Sequence, residues 1–205
     1  MEGIINIAGV MPRIGTTTFA LQLIKFLKVN GYDAAYIERN PSRYMENAVK
    51  MYADSAVDPA TGKRTCEEID LFPEQAMETL TAGGARYDYL VCDFGDVNRR
   101  DFPKETFLRK GVPVFVAGAK ANELTYTEQA LQDQNNRKAA YLFNFIRDAD
   151  KQEVQELMKE LGPVTAFLSY TPDPFVYAGN ADQEILVIMN YVTKTLQEVV
   201  HHGKV

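Results

Sequence analysis

The stretch Gly9-Val10-Met11-Pro12-Arg13-Ile14-Gly15-Thr16-Thr17-Thr18 decides the fold of this 205-residue chain. An apolar run at residues 4–8 precedes it and predicts a buried strand, and a helical pattern begins at Thr16. A strand that leads through a glycine-bearing loop into a helix directs backbone N–H groups and the positive end of the helix dipole at one spot. The stretch therefore predicts a phosphate-binding loop.

This loop departs from the P-loop pattern G-x-x-x-x-G-K-[ST] at two positions. Gly15 and Thr17 match the second glycine and the hydroxyl, whereas Val10 occupies the first-glycine position and Thr16 the lysine position. The site therefore lacks the charge that reaches the terminal phosphates in that pattern. Arg13 is the cation inside the loop, and two interpretations stay open: it binds phosphate, or it points to solvent or pairs with an acidic partner.

Strands and helices alternate along the rest of the chain. Short apolar runs that end in polar or glycine residues predict strands, and longer stretches with helical spacing predict helices. The predicted strands cover residues 4–8, 33–38, 67–71 (at a sheet edge), 87–96, 112–117, 140–146 and 164–168. The predicted helices cover residues 16–29, 43–53, 73–80, 102–110, 124–134, 151–161 and 183–201. This alternation predicts a single α/β domain over residues 1–205, with a mostly parallel sheet covered by helices on both faces.

In such a sheet, ligands bind outside the carboxyl ends of the strands. The polar segments that follow the predicted strands are therefore expected to converge on one site. They are residues 9–18, 38–40, 93–96, 120–123, 144–147 and 172–173.

Composition excludes several classes of protein. A net charge of −6 argues against broad nucleic-acid binding, which needs clustered Lys and Arg. Cys92 lies in a strand pattern and Cys66 in a polar connecting region, so neither suggests a metal site, and a reduced cytoplasmic compartment is expected. There is no signal-peptide pattern and no apolar run that approaches the length of a membrane span.

The sequence resembles the ParA/MinD family of P-loop ATPases, within the larger group that also contains dethiobiotin and cobyrinic acid amide synthetases. The resemblance extends over nearly the whole chain and implies a SIMIBI-type P-loop NTPase fold. It rests on the loop ending in Gly15-Thr16-Thr17-Thr18, the segment Glu38-Arg39-Asn40-Pro41, the strand that contains Asp93, Asn144, and the turn Pro172-Asp173.

The resemblance implies a site for ATP or another nucleotide with Mg²⁺. Thr17 would ligate Mg²⁺, Asp93 would hold the ion through water, and Thr18 would contact the α-phosphate. Asn144 would read the adenine edge, and the turn Pro172-Asp173 would close over the base. The loop residues of the predicted nucleotide-binding set are Gly9, Arg13, Ile14, Gly15, Thr16, Thr17 and Thr18.

Both lysines of the family's loop are replaced in this chain. The usual lysine falls on Thr16, and the signature lysine, which reaches across an ATP-bound dimer in the family, falls on Met11. The first aspartate of the family's switch segment falls on Glu38, which keeps a carboxylate. The second, which orients the attacking water, falls on Asn40, which cannot act as a base. Glu38 and Asn40 are the candidates for catalysis, and weak or absent hydrolysis is expected.

Three functions are compatible with this pattern. The first is a ParA/MinD-like partition or localisation switch, in which nucleotide binding drives association as a homodimer or with a protein partner. The alternative is a non-catalytic interaction module that keeps the fold and has lost nucleotide binding. A small-molecule ligase of the synthetase branch ranks last, because those enzymes also need the loop lysine.

The candidate residues also have purely structural interpretations. Asp93 can cap a loop at a strand end, and Asn144 can bond to its own backbone in a turn. The three threonines can cap the helix that they begin, which is compatible with phosphate binding.

The terminal predicted helix raises the question of membrane association. Its face opposite the apolar stripe has Lys194 and few other charges, whereas a helix at a membrane surface would carry several Lys or Arg. Packing of this helix against the sheet is therefore predicted, and His201 and His202 are interpreted as a polar chain end. The stripe consists of Ile185, Met189, Val192, Leu196 and Val199.

Overall fold

One eight-stranded β-sheet runs through the residues that the computed structural model describes, which are 1–52, 57–82, 86–168, 175, 179 and 182–202. In chain order its strands are β1 (Gly3–Gly9), β2 (Ala34–Glu38), β3 (Arg64–Cys66), β4 (Ile69–Pro73), β5 (Tyr89–Asp96), β6 (Val112–Ala117), β7 (Ala140–Asn144) and β8 (Thr165–Leu168). Their spatial order is β3-β4-β2-β5-β1-β6-β7-β8. All neighbouring strands are parallel except β3 and β4, so the predicted α/β class with a mostly parallel sheet is confirmed.

Helices cover both faces of this sheet, as predicted. In the described residues they are α1 (Thr16–Val29), α2 (Tyr44–Tyr52), α3 (Met77–Ala82), α4 (Lys104–Arg109), α5 (Ala121–Gln132), α6 (Asp148–Leu161) and α7 (Asp182–His202). Side chains of α1, α2 and α7 pack into the core on one face, and side chains of α3 to α6 pack against the core on the other. Because both faces are covered, the central strands are mostly apolar, and all six residues of β6 are buried.

The sheet edge differs from the prediction. A β-hairpin replaces the single edge strand expected at residues 67–71: β3 forms the edge, and β4 lies one strand further in, parallel to β2. Glu67 and Glu68 form the turn with φ values of 45° and 65°. Two-residue turns of this kind usually contain Asn-Gly or Asp-Gly, so a pair of glutamates gives no turn signal. Lys25 and Lys28 of α1 donate hydrogen bonds to the carbonyl oxygens of Glu67 and Glu68.

The two cysteines are both buried and free. Cys66, expected in a polar connecting region, lies in β3 because the hairpin turns its side chain into the core, where it is 1% exposed. Burial raises the pKa of the Cys92 thiol to about 12. The described residues contain no group of three or more His, Cys, Asp or Glu side chains that could hold a metal ion.

Every described helix except α1 begins or ends at residues other than those predicted, and the start of α3 is displaced most, because Pro73, predicted to begin this helix, is the last residue of β4. Helix α5 begins at Ala121 instead of residue 124, because the Glu123 carboxylate accepts the backbone N–H of Lys120 at 3.0 Å and stabilises an earlier first turn. Helix α6 begins at Asp148 instead of residue 151, with acidic side chains in its first turn that complement the helix dipole. Helix α4 is shorter than predicted at both ends and spans Lys104–Arg109.

Helix α7 packs against the sheet through the predicted apolar stripe. Ile185, Met189 and Val192 are buried, and Leu196 packs against the same core. Ile188, which lies beside this stripe, is buried as well. Among the described helices, none combines the length and the apolar character needed to span a membrane.

Candidate functional site

A cavity of about 540 Å³ opens at the carboxyl ends of β1, β2 and β5. Three segments line it: the loop before α1 (residues 11–13 and 15–18), the chain after β2 (residues 40–42 and 44) and the chain after β5 (residues 95, 96 and 99). The volume lies in the range typical of pockets for small organic ligands. The ends of β1, β2 and β5 therefore converge on one cavity, as expected for a parallel sheet, whereas residues 120–123 and 144–147, which were predicted to join them, do not line it.

The amino end of α1 forms one wall of this cavity. Gly15 caps the helix with φ 97° and ψ 23°, no side chain caps it, and its first turn contains no acidic residue. The N–H of Phe19 donates to the carbonyl of Gly15 at 3.0 Å, so the amides of Thr16, Thr17 and Thr18 precede the first intrahelical hydrogen bond. These amides and the helix dipole make the wall a site for an anion.

Gly15 is required at its position for a steric reason. A Cβ atom there would lie 2.0 Å from Nδ2 of Asn144. Asn144 is buried beneath the loop, where Nδ2 donates to the carbonyl of Ile14 at 3.0 Å and Oδ1 accepts the N–H of Phe145 at 3.1 Å. Asn144 thus holds the loop in place from the end of β7. Its contact with a base stays a prediction.

The start of the loop is held as closely as its end. A Cβ atom on Gly9 would lie 2.6 Å from both Cγ2 of Ile14 and Oγ1 of Thr16, so the chain folds back tightly on β1. Nδ2 of Asn98 donates to the carbonyl of Val10 at 2.6 Å and connects the loop to the segment after β5. Because this contact depends on the path of two loops, no sequence pattern identifies Asn98.

Thr17 and Asp93 form the polar centre of the site. Oγ1 of Thr17 donates to Oδ2 of Asp93 at 2.6 Å, the Tyr36 hydroxyl donates to the same oxygen at 2.8 Å, and the N–H of Gly95 donates to Oδ1 at 2.9 Å. Burial raises the pKa of the fully buried Asp93 carboxyl, and the hydrogen bonds from Thr17 and Gly95 oppose that rise. Burial beside this carboxylate also raises the pKa of the Tyr36 hydroxyl.

The Thr17–Asp93 pair fits a magnesium ion by its donor set. A hydroxyl has one donor and two acceptor lone pairs, so Thr17 can donate to Asp93 and still offer oxygen to a cation. Mg²⁺ prefers oxygen ligands, and it usually takes one or two from protein side chains and keeps waters and substrate phosphates for the rest. Three threonines and one buried aspartate at a single helix end supply such a set.

The two catalytic candidates occupy different places. Asn40 lines the cavity, but its amide is engaged: Nδ2 donates to the Asp93 carbonyl at 3.0 Å, and Oδ1 accepts the N–H of Ser42 at 3.0 Å. Glu38 is not among the residues that line the cavity. Its Oε1 accepts the N–H of Met45 at 3.2 Å and the Ser42 hydroxyl at 3.3 Å, at the start of α2. Burial raises the pKa of this carboxyl, against hydrogen bonds from the backbone of α2 that lower it.

The two positions where the family's loop carries lysine hold uncharged side chains that pack inward. Met11 packs against the core on both faces of the sheet, and Thr16 is 8% exposed. Arg13 is exposed at the tip of the loop with φ 62°, and it forms no ion pair with any of the described residues. The prediction of a cation inside the loop therefore remains open for Arg13. A second arginine, Arg99, lines the same cavity and was not identified from the sequence.

The predicted residues thus fall into three groups. Arg13, Gly15, Thr16, Thr17, Thr18 and Asn40 line the cavity. Gly9, Ile14, Glu38, Asp93 and Asn144 lie behind its wall, where they hold the loop and the adjoining chain. Pro172 and Asp173 lie outside the described residues. Tyr36 also belongs to the site and was not among the predicted residues. Its residue type could have indicated it, because a tyrosine inside a buried strand needs a hydrogen-bond partner for its hydroxyl.

No protein-family model and no curated protein sequence matches this chain. Several solved structures, however, match it in fold. The MinC:MinD cell division protein complex of Aquifex aeolicus aligns with a TM-score of 0.72 at 14% identity, over 94% of this chain and 96% of that chain. A ParA-family ATPase from Chlorobium tepidum aligns with a TM-score of 0.61 at 13% identity, over 98% of this chain and 100% of that chain. A plasmid partition protein from Borrelia burgdorferi, bound to AMPPNP, aligns with a TM-score of 0.60 at 15% identity, over 94% of this chain and 98% of that chain. The chain therefore has the α/β fold of the MinD and ParA-family ATPases.

Proposed function

We propose that this chain binds ATP or another nucleoside triphosphate with Mg²⁺ at the loop of residues 9–18, and that it acts as a partition or localisation switch with weak or absent hydrolysis. One observation supports this function most: the Thr17–Asp93 pair lies at the uncapped amino end of α1, at a cavity of about 540 Å³. The plasmid partition protein of the same fold is described as bound to AMPPNP.

The loop and the residues that contact it have separate roles in the proposed binding. The amides of Thr16, Thr17 and Thr18 hold phosphate oxygens, with support from the helix dipole. Thr17 and Asp93 hold Mg²⁺, which neutralises phosphate charge when it is bound. Asn144 and Asn98 keep the loop in the shape that directs these groups at the cavity.

The residues around the cavity do not favour efficient hydrolysis. Transfer of a phosphoryl group needs stabilisation of the charge that develops on it, and lysine or arginine usually supplies part of it. Met11 and Thr16 carry no charge, which leaves Arg13 and Arg99 as the cations on the described wall, and Asn40 has no basic group with which to accept a proton from water. The expectation of weak hydrolysis therefore rests chiefly on the missing base. Binding without efficient turnover is the behaviour that this set of residues supports.

We also propose that nucleotide binding controls association with a second copy or with another protein. MinD, which shares the fold, is described in a complex with MinC. In this chain Met11 is half-buried, packs against the core and lines the cavity, and it carries no charge to offer to a second copy. Association would therefore not use a cation at this position.

Replacement of Thr17 by valine tests the proposed binding. Thr17→Val keeps the shape of the side chain and removes the hydroxyl, so the affinity for Mg²⁺–ATP is expected to fall by about tenfold or more, as for loss of one hydrogen bond to a charged group. Isothermal titration calorimetry with ATP, with and without Mg²⁺, measures this change. Thr125→Val is the matched control, because that hydroxyl donates to the carbonyl of Ala121 on the exposed side of α5.

Two results would contradict the proposal. If ATP with Mg²⁺ gives no heat at millimolar concentration, the chain is an interaction module that has lost nucleotide binding. If the unaltered protein hydrolyses ATP at about 1 s⁻¹ or faster, within the range typical of enzymes, the expectation of weak hydrolysis is wrong.

A further inference from the structure

The loop after β5 brings an arginine to the cavity. Arg99 lies on the wall that faces α1, and its side chain is 21% exposed. The charged side chains on the described wall are Arg13, Arg99 and Asp96, so cations outnumber anions there. No sequence motif singles out Arg99, because its position depends on how the chain turns after β5.

Two contacts hold the guanidinium of Arg99. Its Nε donates to Oδ1 of Asp101 at 2.6 Å, and its Nη1 lies 3.4 Å from the carbonyl of Phe94. A guanidinium has five N–H donors in a fixed plane, so most of them remain for a ligand. Nη1 also lies 3.8 Å from the position that a Cβ atom on Gly95 would take. The N–H of Gly95 donates to Asp93, so Arg99 lies against the segment of chain that directly follows Asp93.

The carboxylate of Asp101 orients Arg99 without cancelling its effect on a ligand. Asp101 is 76% exposed, so its interaction with Arg99 is screened by water, as in other ion pairs at protein surfaces. A phosphate chain carries several negative charges and binds a guanidinium through two parallel hydrogen bonds. Asp101 therefore fixes the plane of Arg99, and an anion in the cavity can take the remaining donors.

Arg13, the other arginine on the cavity wall, is less preorganised to bind a ligand than Arg99. Arg13 is exposed at the tip of the loop and forms no ion pair with the described residues. Its side chain would lose rotamer freedom upon contact with a phosphate, and that loss opposes binding. Arg99 has already lost much of this freedom through its contacts with Asp101 and Phe94.

We propose that Arg99 binds the phosphate chain of the nucleotide and supplies, from the loop after β5, the positive charge that Thr16 does not. This inference rests on the proposed nucleotide binding and adds the residue that compensates for the missing lysine. Asp101 is a positioning residue for it. Because the contact is with phosphate charge and not with the base, its contribution to affinity must increase with the number of phosphates.

A set of substitutions at two arginines tests this assignment. The ligands are ATP, AMP and inorganic triphosphate, titrated by calorimetry with Mg²⁺ present. Arg99→Gln is expected to weaken binding of ATP and of triphosphate by about 10- to 150-fold, and binding of AMP by clearly less. Arg99→Lys keeps the charge and is expected to restore part of the loss. Arg109→Gln is the matched control, because Arg109 is 78% exposed in α4, before the amino end of β6.

The outcomes separate this inference from the proposed function. If Arg99→Gln binds ATP as the unaltered protein does while Thr17→Val loses it, Arg99 is not the phosphate ligand and the proposed function stands. If Arg13→Gln gives the phosphate-dependent loss instead, the cation is Arg13 and the inference is wrong. An equal loss for ATP and AMP with a lowered Tm would show a structural role for Arg99. If the unaltered protein binds neither ATP nor triphosphate, the inference and the proposed function both fail.

Discussion

Gly15→Ala is expected to lower the free energy of unfolding by about 2–4 kcal/mol, from backbone strain and a broken hydrogen bond together. The φ value of 97° at Gly15 lies in the region that favours glycine. The new methyl group would lie 2.0 Å from Nδ2 of Asn144, which must move away. That movement breaks its bond to the Ile14 carbonyl and leaves buried polar groups without partners. Urea denaturation followed by circular dichroism measures the change.

Gly31→Ala is the matched control for this prediction. Gly31 has φ 85° at the other end of α1, and no atom lies within 4 Å of the position that its Cβ would take. The substitution therefore adds strain alone and is expected to cost about 1 kcal/mol. The difference between the two variants measures the contact of Gly15 with Asn144. Equal destabilisation would show that Asn144 does not hold the loop.

Asp93→Ala is expected to lower the free energy of unfolding by about 2–5 kcal/mol, because it leaves buried hydrogen-bond donors without an acceptor. Those donors are the hydroxyl of Tyr36, the hydroxyl of Thr17 and the N–H of Gly95. Tyr36 is fully buried, so its hydroxyl bears much of the loss. Thermal and urea unfolding without ligand measure this effect.

Asp93→Asn separates hydrogen bonding from charge at the same position. An asparagine keeps one acceptor oxygen, and the two hydroxyls can donate or accept, so a loss of less than about 1 kcal/mol is expected. Removal of a fully buried charge favours folding and offsets part of any loss. Both variants are expected to lose the effect of Mg²⁺ on ATP affinity. If the asparagine variant is as unstable as the alanine variant, the negative charge and not the acceptor holds the three donors together.

The fold could be predicted from the sequence wherever burial alone determines an element. Strand β6 was predicted at residues 112–117 and observed at Val112–Ala117, because a strand covered on both faces is predominantly apolar. The hairpin of β3 and β4 could not be predicted. Its turn consists of Glu67 and Glu68 in a conformation that glutamate seldom adopts, and lysines from α1 bind its carbonyls.

The candidate site could be predicted where residues lie at strand ends and not where they depend on the path of loops. Thr17 lies in the first turn of the helix that follows β1, and Asp93 lies near the carboxyl end of β5, so the topology brings them together. Asn98 and Arg99 reach the loop before α1 only because the chain turns back after β5. Glu38 ends β2 as predicted, but hydrogen bonds at the start of α2 hold its carboxylate away from the cavity. Such bonds between neighbouring segments have no periodic signal in the sequence.

The location of the bound nucleotide tests the central claim most directly. We expect that adding ATP with Mg²⁺ to isotopically labelled protein shifts the NMR amide signals of Gly15, Thr16, Thr17 and Thr18 more than those elsewhere, since these amides form the wall at the end of α1. Titration at constant salt follows the shifts to saturation. Unchanged signals at these four residues at saturating ATP, or shifts confined to other parts of the chain, would contradict the claim that this loop binds phosphate without its lysine.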